Sequence, residues 1–221
     1  MAGATPWWAI VPMKNTRLAK SRLGGPAGDR RQLAIVMARD TLCAVVNAAS
    51  VQGVLVVCDN ADDVESFQLP GVSVLVREGL GLNEAIRAGA AALAADRQER
   101  NVAVLPGDLP YLRSSELDVA LSRAAAHPSA CVGDRAGTGT TLLTARAGHQ
   151  LLPAYGERSL ELHTQSGAVE LGIPMWSGLR RDVDDPDDLR VTMTLGRRTR
   201  AVLERRAHNA SPVSTMTRSY V

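Results

Sequence analysis

Apolar residues in this chain fall into short unbroken runs, separated by longer stretches with helical spacing. Residues 8–13, 53–58, 72–76 and 102–105 are nearly continuous apolar segments, the signature of strands buried on both faces. Between them, residues 29–48 set Leu33, Val36, Met37, Leu42, Val45 and Val46 on one helical side, a short helix fits 62–67, and residues 82–96 read as an Ala-rich helix. A further helix runs from Ser114 or Ser115, whose hydroxyl would cap its first turn, to about Ala126. Alternation of buried strands with helices predicts an α/β fold built on a parallel sheet with helices on both faces.

The second half breaks this rhythm. Residues 130–133 and 140–144 read as strands joined across the turn Asp134-Arg135-Ala136-Gly137-Thr138-Gly139, and 159–166 as a helix. Residues 180–183 read as a short strand, after which Asp185 caps a helix that Pro186 opens. No internal repeat or low-complexity linker divides the chain, so residues 1–196 are expected to form one domain. Residues 197–221 hold six arginines against one acid, Glu204, and read as a basic C-terminal tail that frays after Ala207.

Composition narrows the function classes. At 221 residues and 45% hydrophobic content the chain can bury a full core, and with 3% aromatics that core is aliphatic. The net charge of +2 sits in the tail and gives no reason to expect a nucleic-acid partner. No apolar run reaches membrane-spanning length and the opening residues lack the pattern of a secretory signal, so no membrane association is expected. Cys43, Cys58 and Cys131 are odd in number and embedded in apolar runs, which predicts reduced, buried thiols in a cytoplasmic protein. The four histidines make no zinc-binding pattern.

Candidate chemistry begins where the run 102–105 stops at Pro106-Gly107-Asp108. This places the Asp108 carboxylate on a tight turn at the carboxyl end of a strand, where open α/β sheets bind ligands and where an acid suits a divalent cation carrying phosphates. An aspartate that merely caps the next helix uses the same residue. A second signal is that the only two lysines, Lys14 and Lys20, lie in one loop with Arg17 and Arg22, directly after the first strand. Four cations in that position suit a polyphosphate cradle, with a solvated basic loop as the alternative. Asn83, after Gly79 and Gly81, offers a donor and an acceptor for a base or ribose, and the turn Gly137-Thr138-Gly139-Thr140 offers backbone amides to an anion. Only one of Asp182 and Asp184 is expected to reach an ion held by Asp108. Neither a phosphate-loop nor a dinucleotide-binding glycine motif is present.

In sequence order, these segments resemble the guanylyltransferase family of deazaflavin coenzyme (coenzyme F-420) biosynthesis, whose members activate phosphoenolpyruvate or 2-phospho-L-lactate with GTP. The matching residues are Val11-Pro12-Met13-Lys14, Ala19-Lys20-Ser21-Arg22-Leu23, Asp40-Thr41-Leu42, Gly81-Leu82-Asn83, Gly107-Asp108-Leu109-Pro110, Asp134-Arg135 with Gly137-Thr138-Gly139-Thr140, Ser166-Gly167-Ala168, and Asp182-Val183-Asp184-Asp185-Pro186. They span about residues 8–196. The resemblance implies a three-layer nucleotidyltransferase sandwich similar to glycosyltransferase-A folds, with a mostly parallel central sheet. It also implies Mg²⁺ held by Asp108, Asp182 and Asp184, nucleotide contacts from Lys14, Arg17, Lys20, Arg22, Asn83 and Gly107, and acceptor contacts from Thr140, Gly156 and Ser159. Catalysis would rest on Asp108, Lys14 and Lys20. The family's Gly-Pro-Asp-Ser acceptor loop reads Gly156-Glu157-Arg158-Ser159 here, with His163 in its usual place. Arg158 is either an added anion contact or, as expected, a surface residue. The implied reaction moves GMP from GTP to the acceptor phosphate and releases pyrophosphate, and a downstream transferase consumes the product. The residues alone also admit a nucleotidyltransferase for another small phosphorylated acid, sugar or alcohol, or a non-catalytic nucleotide-binding protein on the same fold.

Overall fold

Seven strands form a single sheet in the order β3-β2-β1-β4-β6-β5-β7. The computed structural model describes residues 5–14, 16, 23, 26–95, 98–190 and 194–210. The strands are β1 (Trp7–Met13), β2 (Val51–Cys58), β3 (Val72–Val76), β4 (Asn101–Val104), β5 (Ser129–Gly133), β6 (Thr140–Ala145) and β7 (Val169–Glu170). Strands β3, β2, β1 and β4 run parallel, and β6 alone is antiparallel to both its neighbours, β4 and β5.

The helices are α1 (Ala27–Val46), the single turn α2 (Val64–Phe67), α3 (Leu82–Ala94), α4 (Ser114–Ala124), α5 (Ser159–Gln165) and α6 (Arg197–Ala210). Strand alternation divides the core between the two faces of the sheet. Ala9, Val11 and Met13 of β1, with Val54 and Val56 of β2, pack toward Leu42 and Val45 of α1 and Leu117 and Leu121 of α4. Ile10, Leu55 and Val57 pack instead toward Ile86 and Leu93 of α3 and Leu160 of α5. The result is the three-layer sandwich with a mostly parallel central sheet.

Three sequence expectations are corrected. Residues 180–183 do not form a strand: Gly178–Arg180 is a 3-10 turn, and 181–184 pair with no strand. The expected tail beyond residue 196 is a helix as far as Ala210, and α6 lies against α1, while residues 211–221 lie outside the described residues. Neither Ser114 nor Ser115 caps α4. Its N-cap is Arg113, whose amide donates to the Glu116 carboxylate at 3.0 Å. Asp185 does cap the 3-10 turn Pro186–Arg190, accepting from the amides of Asp187 and Asp188 at 2.8 and 3.2 Å. Cys58 and Cys131 are buried and Cys43 is half-buried, all as free thiols.

Candidate active site

Strands β1 and β4 are neighbours whose next strands in the chain, β2 and β5, lie on opposite sides of the pair. Such a reversal opens a crevice at the carboxyl ends of the strands. Met13 and Lys14 end β1 here, with Lys14 exposed at the mouth. Across the crevice, the chain leaving β4 turns at Gly107 and Asp108. This turn hugs β1 so closely that a Cβ on Gly107 would sit 2.3 Å from Met13 Sδ, and a larger residue there would have to displace the Met13 side chain. Thr41 of α1 braces the same turn: its hydroxyl donates toward the carbonyls of Met37 and Gly107, at 3.0 and 3.2 Å, and accepts from the Leu109 amide at 3.0 Å.

The acids after residue 181 are brought to this turn by a hydrophobic anchor. Val183 is fully buried among Leu33, Met37 and Tyr111, and its amide donates to the Asp108 carbonyl at 3.0 Å. Burying one valine contributes about 1.5–3 kcal/mol, enough to hold the flanking Asp182 beside Asp108. Burial, followed by the charges of Asp108, Asp184 and Asp134, pushes the Asp182 carboxyl up to about 7. Asp182 therefore shares one electrostatic environment with Asp108, whereas Asp184 is exposed. An all-oxygen, mutually repelling donor set of this kind fits a hard divalent cation. Among the described residues no three Asp, Glu, His or Cys side chains converge closely enough to hold an ion alone. The rest of its shell would come from phosphate oxygens and water, as Mg²⁺ commonly requires.

Antiparallel β6 begins at the same rim, paired at Thr140 with Gly133 of β5, and brings Thr140 to the residues expected from the sequence to contact an acceptor. Thr140 Oγ1 lies 3.3 Å from Ser159 Oγ and 2.9 Å from His163 Nδ1, and all three residues are buried. Gly156 has φ +140°, a conformation L side chains rarely adopt, and precedes Ser159 at the start of α5. Arg158 is exposed and paired with Glu161, so it is the surface residue expected of it.

Other sequence-derived candidates are placed differently. Asn83 spends one donor and one acceptor on the chain itself: its Nδ2 donates to the Tyr155 carbonyl at 3.0 Å and its Oδ1 accepts from the Tyr155 amide at 2.8 Å. The amides of Thr138 and Gly139 are likewise taken up, by the Asp134 carboxylate at 3.0 and 2.9 Å, so that turn is self-contained rather than an anion cradle. Arg17, Lys20 and Arg22 lie outside the described residues. Thr16 of the same loop is held by the buried Asp63 carboxylate, through its amide at 3.1 Å and its hydroxyl at 2.8 Å. Sequence reasoning gave no role to Thr41, Asp63, Asp134 or Arg180. Arg180 is buried and donates to the Asp134 carbonyl at 2.9 Å and the Ile173 carbonyl at 3.1 Å. Thr41 and Asp134 stood inside recognisable motifs, but the bonds from Thr41 to Gly107 and Leu109 and from Arg180 to Asp134 join residues too distant in the chain to be read from it.

Residues 21–168 match the family model for a MobA-like NTP transferase domain. The chain is also 44% identical over 197 residues to a phosphoenolpyruvate guanylyltransferase of Streptomyces scabiei, covering 86% of this chain and 91% of that protein. The chain belongs to this family of nucleotidyltransferases. Solved structures share its fold. A nucleotidyl transferase from Methanothermobacter thermautotroptrophicus superposes with TM-score 0.59 at 17% identity, covering 90% of this chain and 99% of the other. Rv0371c from Mycobacterium tuberculosis, solved as a manganese complex, superposes with TM-score 0.51 at 20% identity, covering 85% and 97%. The family-model match ends before Asp182.

Proposed function

We propose that this chain transfers GMP from GTP to the phosphate of phosphoenolpyruvate, or of the closely similar 2-phospho-L-lactate, with release of pyrophosphate. The observation that carries the reading is the meeting, on one rim, of the carboxylate group around Asp108 and the buried Thr140–Ser159 hydroxyl pair. An acceptor phosphate is already ionised near neutral pH, so no side chain has to act as general base. One of its oxygens attacks the α-phosphorus of GTP, and the bond from that phosphorus to the β-phosphate bridge breaks. Positioning and charge neutralisation supply the rate.

Asp108, Asp182 and Asp184 would hold Mg²⁺, which when bound neutralises charge on the α-phosphate and on departing pyrophosphate. Lys14, with Arg17, Lys20 and Arg22, binds the triphosphate, and the close-packed Gly107 lets it approach the backbone. Thr140, Gly156 and Ser159 orient the acceptor carboxylate. A free-thiol chain of this kind suits a reducing cytoplasm, and the activated diphosphate product calls for a transferase that accepts it, as the family resemblance implies. The test is incubation with Mg²⁺, GTP and a panel of phosphorylated three-carbon acids, with mass detection of a guanylylated acid and of pyrophosphate. GTP binding without release of its pyrophosphate in the presence of any of these acids overturns the proposal.

A further inference from the structure

His163 is fully buried at the centre of α5 and uses both ring nitrogens. Nε2 lies 2.9 Å from the backbone nitrogen of Ala154. An amide N–H only donates, so Nε2 must be the bare, accepting nitrogen. A neutral ring then carries its proton on Nδ1, which lies 2.9 Å from Thr140 Oγ1 and donates to it. The opposite tautomer, and the charged ring, would each set two N–H groups against one another at Ala154. Burial holds the His163 pKa down at about 4, which keeps the ring neutral near pH 7.

The consequence falls on Thr140. Its oxygen accepts from His163, and Ser159 Oγ is a second donor to it at 3.3 Å. With its oxygen filled by protein donors, the Thr140 hydroxyl proton is left to donate to an anion. The second half of the ring's work is on the acceptor loop. Ala154 is fixed by Nε2, and Tyr155, pinned by Asn83, stands edge-on to the ring at 5.0 Å between centroids. Tyr155 also donates its hydroxyl to the Val104 carbonyl at 3.3 Å, at the end of the strand that leads to Asp108. We propose that His163 is a positioning residue for the acceptor: as the Nδ1–H tautomer it turns Thr140 into a directed donor to the phosphorylated acid, and through Nε2 it fixes the loop that carries Gly156. This inference rests on the acceptor reading of Thr140 and Ser159 given above.

Two variants separate the ring's two bonds. The Asn side chain reaches the Nδ1 position and keeps a donor for Thr140, whereas Gln reaches the Nε2 position and keeps an acceptor for Ala154. His163→Gln should raise KM for phosphoenolpyruvate roughly fivefold or more, the scale of one lost hydrogen bond, and His163→Asn clearly less. KM for GTP should move in neither. Nitrogen-resolved NMR of the wild-type imidazole, which needs no variant to fold, should find the proton on Nδ1 and a bare Nε2 at pH 7. A proton on Nε2 or a charged ring overturns the inference. Turnover by the wild type with acceptor KM unchanged from the wild-type value in both variants overturns the role of His163 alone. No product from the wild type with any of the acids overturns the acceptor reading itself.

Discussion

Asp40 of α1 accepts hydrogen bonds from both the amide and the hydroxyl of Thr199 on α6, at 2.7 and 2.8 Å. Its other oxygen accepts from the Arg198 amide at 3.2 Å. The first amides of a helix have no partner inside it, and a carboxylate there is also favoured by the helix dipole. Here the cap comes from a side chain more than 150 residues away in sequence. The next residue, Thr41, braces the Asp108 turn, so one turn of α1 ties the C-terminal helix and the site together. Loss of the cap and of two buried partners in Asp40→Ala should cost about 2–3 kcal/mol in urea unfolding. An unchanged unfolding midpoint would show that α6 is held by packing alone.

Replacing Asp108 by Asn keeps its size and removes its charge. Turnover should fall on the order of 10²–10³-fold while the circular dichroism spectrum and unfolding midpoint stay near those of the parent chain. Near-normal pyrophosphate release from this variant would remove Asp108 from the chemistry.

Lys14 stands exposed at the end of β1 beside the crevice. Lys14→Ala should weaken GTP binding roughly tenfold, the scale of one charge-assisted hydrogen bond. It should also flatten the dependence of GTP affinity on salt, while KM for the acceptor changes little. Isothermal titration at two ionic strengths measures both.

The two bonds from Asn83 to Tyr155 make a prediction that distinguishes loop support from base recognition. Asn83→Ala should raise KM for the acceptor several-fold and leave the preference for GTP over CTP and UTP intact. A loss of guanine preference with normal acceptor KM would restore Asn83 to the nucleotide side.

Two buried groups give stability opposite slopes against pH when no metal is present. Asp182 is raised from 3.8 to about 7, so its contribution is present below 3.8 and is lost as pH rises through about 7. His163 is lowered from 6.5 to about 4, so its contribution is present above 6.5 and is lost as pH falls through about 4. The two offset each other between about 4 and 6.5, leaving the wild type nearly level there and weakening above. Asp182→Asn removes one slope, so its stability should climb from pH 4 to 6.5 and then hold. Urea midpoints across this range decide it. Divalent metal at neutral pH should also displace a proton from Asp182 in the wild type, read by calorimetry in buffers of differing ionisation enthalpy.

The α/β class and the first four strands were legible because parallel strands buried on both faces leave continuous apolar runs. Residues 72–76 coincide with β3, and 8–13 fall one residue short of β1. Two features were not legible. The antiparallel entry of β6 between β4 and β5 depends on pairing across the sheet, which the residue pattern of β6 does not encode. Helix α6 has few apolar residues, and its N-terminus is satisfied by a side chain from α1, so its own residues read as a basic tail.

The site divides along the same line. Glycine, proline and aspartate at a strand end carry their geometry in their own backbone preferences, so Gly107 and Asp108 were marked as a ligand-binding turn by local chemistry alone. The sequence by itself therefore determined the layered architecture and the family, and marked the acids and cations expected at a nucleotide site. Only the tertiary structure decided which polar atoms remain available. Asn83 and the amides of Thr138 and Gly139 bond to protein partners, Val183 carries Asp182 to Asp108, and His163 sets the direction of the Thr140 hydroxyl. The reason is that a hydrogen bond depends on the position and orientation of both partners, and in each of these cases folding brings together groups that the chain order keeps apart.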